Sequence, residues 1–341
     1  MKTISIKGNK VNSNIFINEQ LGNLNKYIQS EHVVIITDEN VSRLYNDKFP
    51  KYDVITIGIG EKIKTIETAV SIYEKLLDLD VQRSSFIVGI GGGIVCDISG
   101  FVASTFLRGI RFGFVSTTLL SQVDASVGGK NGVNLEGYKN IIGVFNQPEF
   151  VICDLNLLKT LPAKELLCGF AEIVKHALIE DSLYFDFLKH NYQKALCLDI
   201  DILEKIVYDS IMIKASVVNK DELEKGERRK LNFGHTFGHA IEKISKLAHG
   251  ESVSIGMSLA SELSLKKNLI TENDYLQITS LLESMKLPTK CEFDKDEIIS
   301  ALKKDKKRKG DLIHFVLLEK IGKSIISKIS IKDLDIFLNK R

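Results

Sequence analysis

SFIVGIGGGIVCDISG, residues Ser85 to Gly100, decides the fold class. Phe86 to Ile90 is an apolar run of strand length, Gly91, Gly92 and Gly93 follow, and a helix-like run begins behind them. A strand that is apolar throughout is covered on both faces, as strands of parallel sheets are. Glycine lets a backbone come close to a ligand, and the N–H groups of a helix start favour anionic oxygen. The turn is therefore a candidate cradle for a nucleotide pyrophosphate. Its spacing is not GxGxxG, because Ile94 stands where the third glycine would be. A tight packing turn is the plainer alternative.

Strand candidates recur on either side at Val33–Thr37, Val54–Ile57, Phe112–Ser116 and Phe150–Cys153, with a helical pattern at Ile63–Leu79. Such alternation predicts a parallel α/β sheet. After Asp154 the texture changes to apolar spacings of three and four, from Ala163–Ile179 through to Leu302, with sparse glycine and proline. That is a helical domain, with a short hairpin expected at Ile313–Ile329, where IGK can turn. The boundary falls near 154–162, giving domains 1–157 and 158–341, and a cleft between them is the expected place for a site. The charge block LKKDKKRKG, Leu302 to Gly310, reads mostly as a solvated face.

The 341 residues suit about two domains. A net charge of +2 excludes a global preference for nucleic acid or membrane surfaces. Five scattered cysteines, an odd number without a CxxC pair, read as reduced intracellular thiols. MKTISIKGNK alternates polar and apolar residues, unlike a signal peptide, and no apolar run reaches membrane-spanning length. The expectation is a soluble cytoplasmic protein.

Candidate site residues gather in four places. Asp38 and Asn40 follow one strand end, where a carboxylate can hold ribose hydroxyls, and Glu61 and Lys64 follow the next. Singly, each is an ordinary loop or capping residue. STTLLSQVDASVGGKNGVNLEGYKN, Ser116 to Asn140, reads as a polar, glycine-rich loop carrying Thr117, Thr118, Asp124, Lys130, Lys139 and Asn140. Two lysines and several glycines can surround a phosphate monoester, and Arg108 can add an anion contact. In NFGHTFGHA, His235 and His239 are four apart on one helical face, a spacing by which helices offer two imidazoles to zinc. HGES adds His249, and GFAEIVKHA adds Glu172, Lys175 and His176. Spacing alone pairs His235 with His239. The expectation is a metal-dependent enzyme, with zinc first among divalent metals.

Together these motifs resemble the 3-dehydroquinate synthase family, among the sugar-phosphate cyclases. The resemblance rests on GGGIVCDISGFVASTFLRGI, STTLLSQVDASVGGKNGVN, ELLCGFAEIVKHALI, RRKLNFGHTFGHAIE and HGESVSIGM, which span 91–257. It implies a Rossmann-like NAD-binding α/β domain followed by a mainly α-helical metal- and substrate-binding domain. It implies that 3-deoxy-D-arabino-heptulosonate 7-phosphate becomes 3-dehydroquinate and phosphate. The steps would be oxidation at C5 by NAD, β-elimination of phosphate, re-reduction, ring opening and aldol closure. It implies Glu172, His235 and His249 as metal ligands, with zinc first and cobalt as the alternative. That moves His239 to the substrate, against the spacing.

By the same resemblance, Asp124, Lys130 and Lys175 face the cofactor and the reacting hydroxyls. Lys130, Asn140, His239 and one of Lys306 and Lys307 hold the phosphate. Lys214, Arg228 and Asn232 hold the carboxylate. Asp38, Asn40, Glu61, Lys64, Gly92, Gly93, Asp97, Thr117, Thr118, Lys130, Lys139 and Thr160 contact NAD. Arg108 reaches a partner subunit's site, which implies a homodimer. Three alternatives remain at this level. They are a sister cyclase of the 2-deoxy-scyllo-inosose synthase type, a polyol oxidoreductase of the glycerol dehydrogenase type, and a non-catalytic binding relative.

Overall fold

In a computed structural model of the chain, residues 1–8, 11–245, 247–292, 294–303, 308–309 and 311–339 are described. Lys306 and Lys307 lie outside the described residues. The chain divides into two compact units, Met1–Leu161 with Leu203–Leu223, and Pro162–Ile202 with Glu224–Arg341.

The first unit runs β1 (Lys2–Ile6), β2 (Ser13–Ile17), β3 (Val33–Asp38), α1 (Glu39–Tyr45), β4 (Asp53–Ile57), α2 (Ile66–Asp78), β5 (Phe86–Gly91), α3 (Gly93–Thr105) and β6 (Arg111–Ser116). It continues with β7 (Lys130–Leu135), β8 (Tyr138–Phe145) and β9 (Phe150–Cys153). Seven strands form one sheet in the order β1-β2-β9-β6-β5-β3-β4. All neighbours pair in parallel except β1 and β2. Central β5 is buried at every position, whereas edge strand β4 buries alternate residues. That difference explains why the central strands read as continuous apolar runs. Leu24, Ile35, Val88, Val115 and Ile152 pack in the core of this unit.

Two local expectations needed correction. The stretch Ser116–Asn140, read as a loop, contains a π-helical turn at Ser121–Ala125 and then strand β7, which pairs with β8 as a hairpin. Its turn is Glu136–Gly137, both at positive φ (50° and 75°), the type I′ geometry that matches strand twist. The polar exposed face of β8 hid the strand pattern. The N-terminal β1–β2 ribbon also went unread as strand.

The remaining helices begin with α4 (Ala163–Glu180), α5 (Ser182–Leu196) and α6 (Ile200–Lys220). From Leu203 onward α6 is counted with the first unit, although its texture reads with the helical domain. Asn219 accepts from the Lys7 backbone (3.0 Å), and Glu204 accepts from Asn18 (2.7 Å). The second unit holds α4, α5, α7 (His235–Ile244), α8 (His249–Lys266), α9 (Glu272–Ser284), α10 (Lys295–Lys303) and α11 (Ile331–Asn339). It also holds a three-stranded sheet of β10 (Arg308–Lys309), β11 (Leu312–Lys320) and β12 (Lys323–Ser330). The expected hairpin is β11–β12, turning at Gly322 with φ 82°. Helix α4 is buried all round from Cys168 to Ile179. A helix buried on every side belongs to a core, so Glu172, Lys175 and His176 on it are buried polar groups in need of partners. Among the described residues, no helix is long and apolar enough to cross a membrane.

Candidate functional site

In the first unit the chain leaves β3 for β4 on one side and returns to β5 on the other. The carboxyl ends of β3 and β5 therefore flank a topological switch point, where open α/β sheets bind ligands. Asp38 ends β3 and caps α1, accepting from the backbone N–H of Asn40 (2.9 Å) and Val41 (3.0 Å). Burial raises its carboxyl above the usual range, and those two bonds oppose the shift. Asn40 accepts from Arg43 at 3.2 Å. After β5, Gly92 and Gly93 start α3 without a side-chain cap, which leaves the first N–H groups for a ligand or water. A Cβ on Gly92 would stand 2.9 Å from Thr118, and one on Gly93 2.9 Å from Ala125, so packing also requires these glycines.

Lys64 is 5% exposed and ion-paired with Asp97 of α3. Burial raises the Asp97 carboxyl, and Lys64 opposes the rise. Glu61 accepts from Asn134 at 2.8 Å, and Lys139 stands 4.0 Å from Glu61. Asn140, at φ 51°, donates its backbone N–H to Asn134 Oδ1 at 2.8 Å. Asn134 thus ties Glu61 to Asn140, and sequence reasoning missed it. The Thr117 backbone N–H reaches Gly91 O at 3.0 Å, and Thr118 exchanges bonds with Ser121. The Thr160 hydroxyl bonds to Tyr45, a second residue that went unread.

Lys214 of α6 ion-pairs with the Asp124 carboxylate and donates to the Asp124 carbonyl at 2.5 Å. Lys214, expected at the substrate carboxylate, here shares a pair with a residue expected at the reacting hydroxyls. Lys130 is exposed at the start of β7. Arg108 is exposed in a turn where Leu107, Arg108 and Gly109 all have positive φ (50°, 67° and 112°).

In the second unit, Glu172 and Lys175 of α4 form a buried ion pair, three residues apart on one helix face. Arg228 is 2% exposed in the 3-10 turn Glu227–Asn232, and Asn232 donates to Glu224 at 2.7 Å. The next turn depends on Gly234, whose φ of 77° is left-handed. Helices α7 and α8 then cross closely. A Cβ on Gly256 would fall 2.0 Å from Gly234 O and 2.7 Å from Gly238 N. This close crossing carries His235 of α7 and His249 of α8 to the same carboxylate.

Glu172 Oε1 lies 3.5 Å from His235 Nε2 and 3.6 Å from His249 Nε2. Bonds of 2.0–2.1 Å to a tetrahedral zinc put neighbouring donors about 3.4 Å apart, so this nitrogen, nitrogen and oxygen set fits a zinc-like cation. Glu172 is 0% and His235 7% exposed, and such a charged cluster is stable when a cation shares it. His239 stands on the exposed side of α7, with its ring centre 5.1 Å from that of His235. It groups with Glu242 and His249, not with Glu172 and His235. The structure thus does not gather the pair that helical spacing alone selected. Burial pulls the His249 imidazole pKa down, but hydrogen bonds to Glu172 and Glu242 outweigh it and hold the group up at about 9. Glu242 was also missed by sequence reasoning, though it lies seven residues after His235 on the same helix.

Two consecutive stretches of the chain match known families. Residues 54–168 match the family described as 3-dehydroquinate synthase N-terminal, and residues 169–308 match 3-dehydroquinate synthase C-terminal. The 3-dehydroquinate synthase of Acetivibrio thermocellus is 44% identical over 336 residues, covering 94% of this chain and 93% of the relative. That of Thermoanaerobacter pseudethanolicus is 42% identical over 329 residues, covering 93% and 92%. Among solved structures, a 2-deoxy-scyllo-inosose synthase complexed with carbaglucose-6-phosphate, NAD+ and Co2+ superposes with a TM-score of 0.86 at 25% identity, covering 99% of this chain and 100% of that one. The 2-epi-5-epi-valiolone synthase of Streptomyces hygroscopicus, with NAD+ and Zn2+ bound, shares the fold with a TM-score of 0.89 at 24% identity, covering 100% and 99%. With identity above two-fifths across nearly the whole chain, and both halves matched in order, this chain belongs to the 3-dehydroquinate synthase family.

Proposed function

We propose that this chain is a cytoplasmic 3-dehydroquinate synthase, a lyase converting 3-deoxy-D-arabino-heptulosonate 7-phosphate to 3-dehydroquinate and phosphate. The observation that carries the reading is 44% identity to a curated synthase over 94% of the chain. When bound, NAD supplies reversible hydride transfer and a divalent cation supplies Lewis acidity at the substrate hydroxyls.

Glu172, His235 and His249 hold the cation, zinc first with cobalt as the alternative. Lys175, paired with Glu172, keeps a cationic donor beside the metal ligands and the substrate hydroxyls. The Asp124–Lys214 pair sets a carboxylate and an amine side by side, the two kinds of group that can exchange a proton with a substrate hydroxyl. The buried Arg228, with Asn232, holds the substrate carboxylate, a planar group suited to the guanidinium fork. Lys130, Asn140, His239 and one of Lys306 and Lys307 hold the phosphate. Asp38 and Asn40 take the ribose end of NAD. Gly92, Gly93, Thr117 and Thr118 line its pyrophosphate, with Glu61, Lys64, Asp97, Lys139 and Thr160 alongside. We assign Arg108 to the site of a partner subunit in a homodimer. Ile141 and Phe145 are large apolar side chains exposed on the same side of β8, which a second copy could cover.

The test supplies the heptulosonate phosphate with catalytic NAD and zinc or cobalt, and follows phosphate release and dehydroquinate. Phosphate release with no net NADH is expected; its absence would remove the reading. The second reading is a sister cyclase, favoured by the likeness to 2-deoxy-scyllo-inosose synthase. Turnover of a carboxylate-free sugar phosphate in preference to the acid would establish it. For the dimer, Arg108→Ala mixed with His235→Ala should recover activity that neither has alone, whereas a cis role for Arg108 would leave the mixture inactive.

A further inference from the structure

His235 and His249 present the same nitrogen to Glu172 and turn the other toward an acceptor. His235 Nε2 faces Glu172 Oε1 at 3.5 Å, while its Nδ1 is 3.2 Å from the Phe233 carbonyl. His249 Nε2 faces Glu172 Oε1 at 3.6 Å, while its Nδ1 is 3.4 Å from Glu242 Oε2. A neutral imidazole carries one N–H, and only the bare nitrogen can bind a cation. An acceptor at Nδ1 therefore places the proton there and leaves Nε2 as the donor atom.

The two histidines differ in what supplies that acceptor. The Phe233 carbonyl is held by the backbone turn leading into α7. His249 is the first residue of α8, preceded by Ala248, which has no side-chain acceptor to orient the ring. Its acceptor comes from α7, where Glu242 follows His235 by seven residues and so lies on the same face two turns on. One helix thus carries a ligand and also the group that aims the ligand of its neighbour. The close crossing at Gly256 keeps α7 and α8 in that register.

We propose that Glu242 is a positioning residue for the metal centre, holding His249 in the Nδ1–H tautomer with Nε2 directed at the cation. The role rests on the proposed metal reading of Glu172, His235 and His249. A carboxylate behind a ligating histidine fixes the ring and raises its basicity, and losing it typically weakens metal affinity about 10–100-fold. Glu242 could instead serve with His239 and His249 as a ligand of a second ion, since their donor atoms also converge. The two roles differ in stoichiometry.

The experiment measures zinc affinity by competition with a chelator, metal stoichiometry, and the Co2+ absorption spectrum. It compares the wild type with Glu242→Gln and Glu172→Ala. Melting of each chelated protein checks folding, and Glu242→Asp serves as the conservative variant. Glu242→Gln should bind one metal ion, about 10–100-fold more weakly, with a shifted Co2+ spectrum and the melting temperature of chelated wild type. Glu242→Asp should recover part of the affinity. Wild-type affinity and spectrum in Glu242→Gln, with binding abolished in Glu172→Ala, would overturn the positioning role alone. Two ions in the wild type and one in Glu242→Gln would overturn it in favour of a second site. Equal binding by the wild type and Glu172→Ala would overturn the metal reading, and the positioning role with it.

Discussion

Glu172 Oε1 and His235 Nε2 stand 3.5 Å apart, although the residues are 63 positions apart in sequence. They come from different helices, and the distance is that of two donors sharing one small cation. His249 joins them at 3.6 Å, whereas His239, one helical turn from His235, turns to the exposed side.

Metal retention should follow this geometry. His249→Ala should lose bound zinc or cobalt, and His239→Ala should keep it while losing turnover. Elemental analysis after gel filtration, with the rate of phosphate release, distinguishes them. Equal metal loss in both would return His239 to the ligand set.

Arg228 offers a second check. Its guanidinium is buried, and a charge-assisted hydrogen bond to a carboxylate contributes about 1.5–3 kcal/mol. Arg228→Ala should therefore lower kcat/KM by about 10–150-fold. Unchanged kcat and KM would exclude a role at the substrate.

The α7–α8 crossing should tolerate no side chain at its closest point. A Cβ on Gly256 would lie 2.0 Å from a backbone oxygen, and such overpacking costs about 1–3 kcal/mol or more. Gly256→Ala should lower the melting temperature and weaken metal binding together, because the added methyl pushes His235 and His249 apart. A normal melting temperature with normal metal affinity would contradict the crossing.

Alkaline stability has a local source in the first unit. The Tyr27 hydroxyl donates to Glu19, which is 7% exposed. Burial first, then the hydrogen bond and charge of Glu19, push the Tyr27 pKa up to about 12. A folded pKa raised above the ordinary value of about 10 contributes stability that is fully present below pH ~10 and is lost as pH rises through ~12. Tyr27→Phe should lose about 1 kcal/mol near neutral pH and show a shallower further loss above pH 10, read from denaturant midpoints. Parallel alkaline curves for the two proteins would count against the link.

Much was legible in the chain itself. Continuous apolar runs at Phe86–Ile90 and Phe150–Cys153 marked strands buried on both faces, because a parallel sheet leaves no polar side. Apolar spacing marked α4 nearly to the residue, and the β11–β12 hairpin was read from its IGK turn. The hairpin at Lys130–Phe145 was hidden because most of β8 is exposed, so no buried alternation remained to read.

The site divides along the same line. Residue types and spacing within NFGHTFGHA, GFAEIVKHA and HGES marked a candidate metal-binding set, because imidazole and carboxylate in such density seldom serve packing alone. Helical periodicity sees only residues on one helix, so by itself it joined His235 to His239. Which donors converge was decided by the tertiary structure. The close glycine crossing of α7 and α8 against α4 brings Glu172, His235 and His249 to common distances. The same crossing sets Glu242 behind His249, a relation between helices that no spacing within one segment encodes.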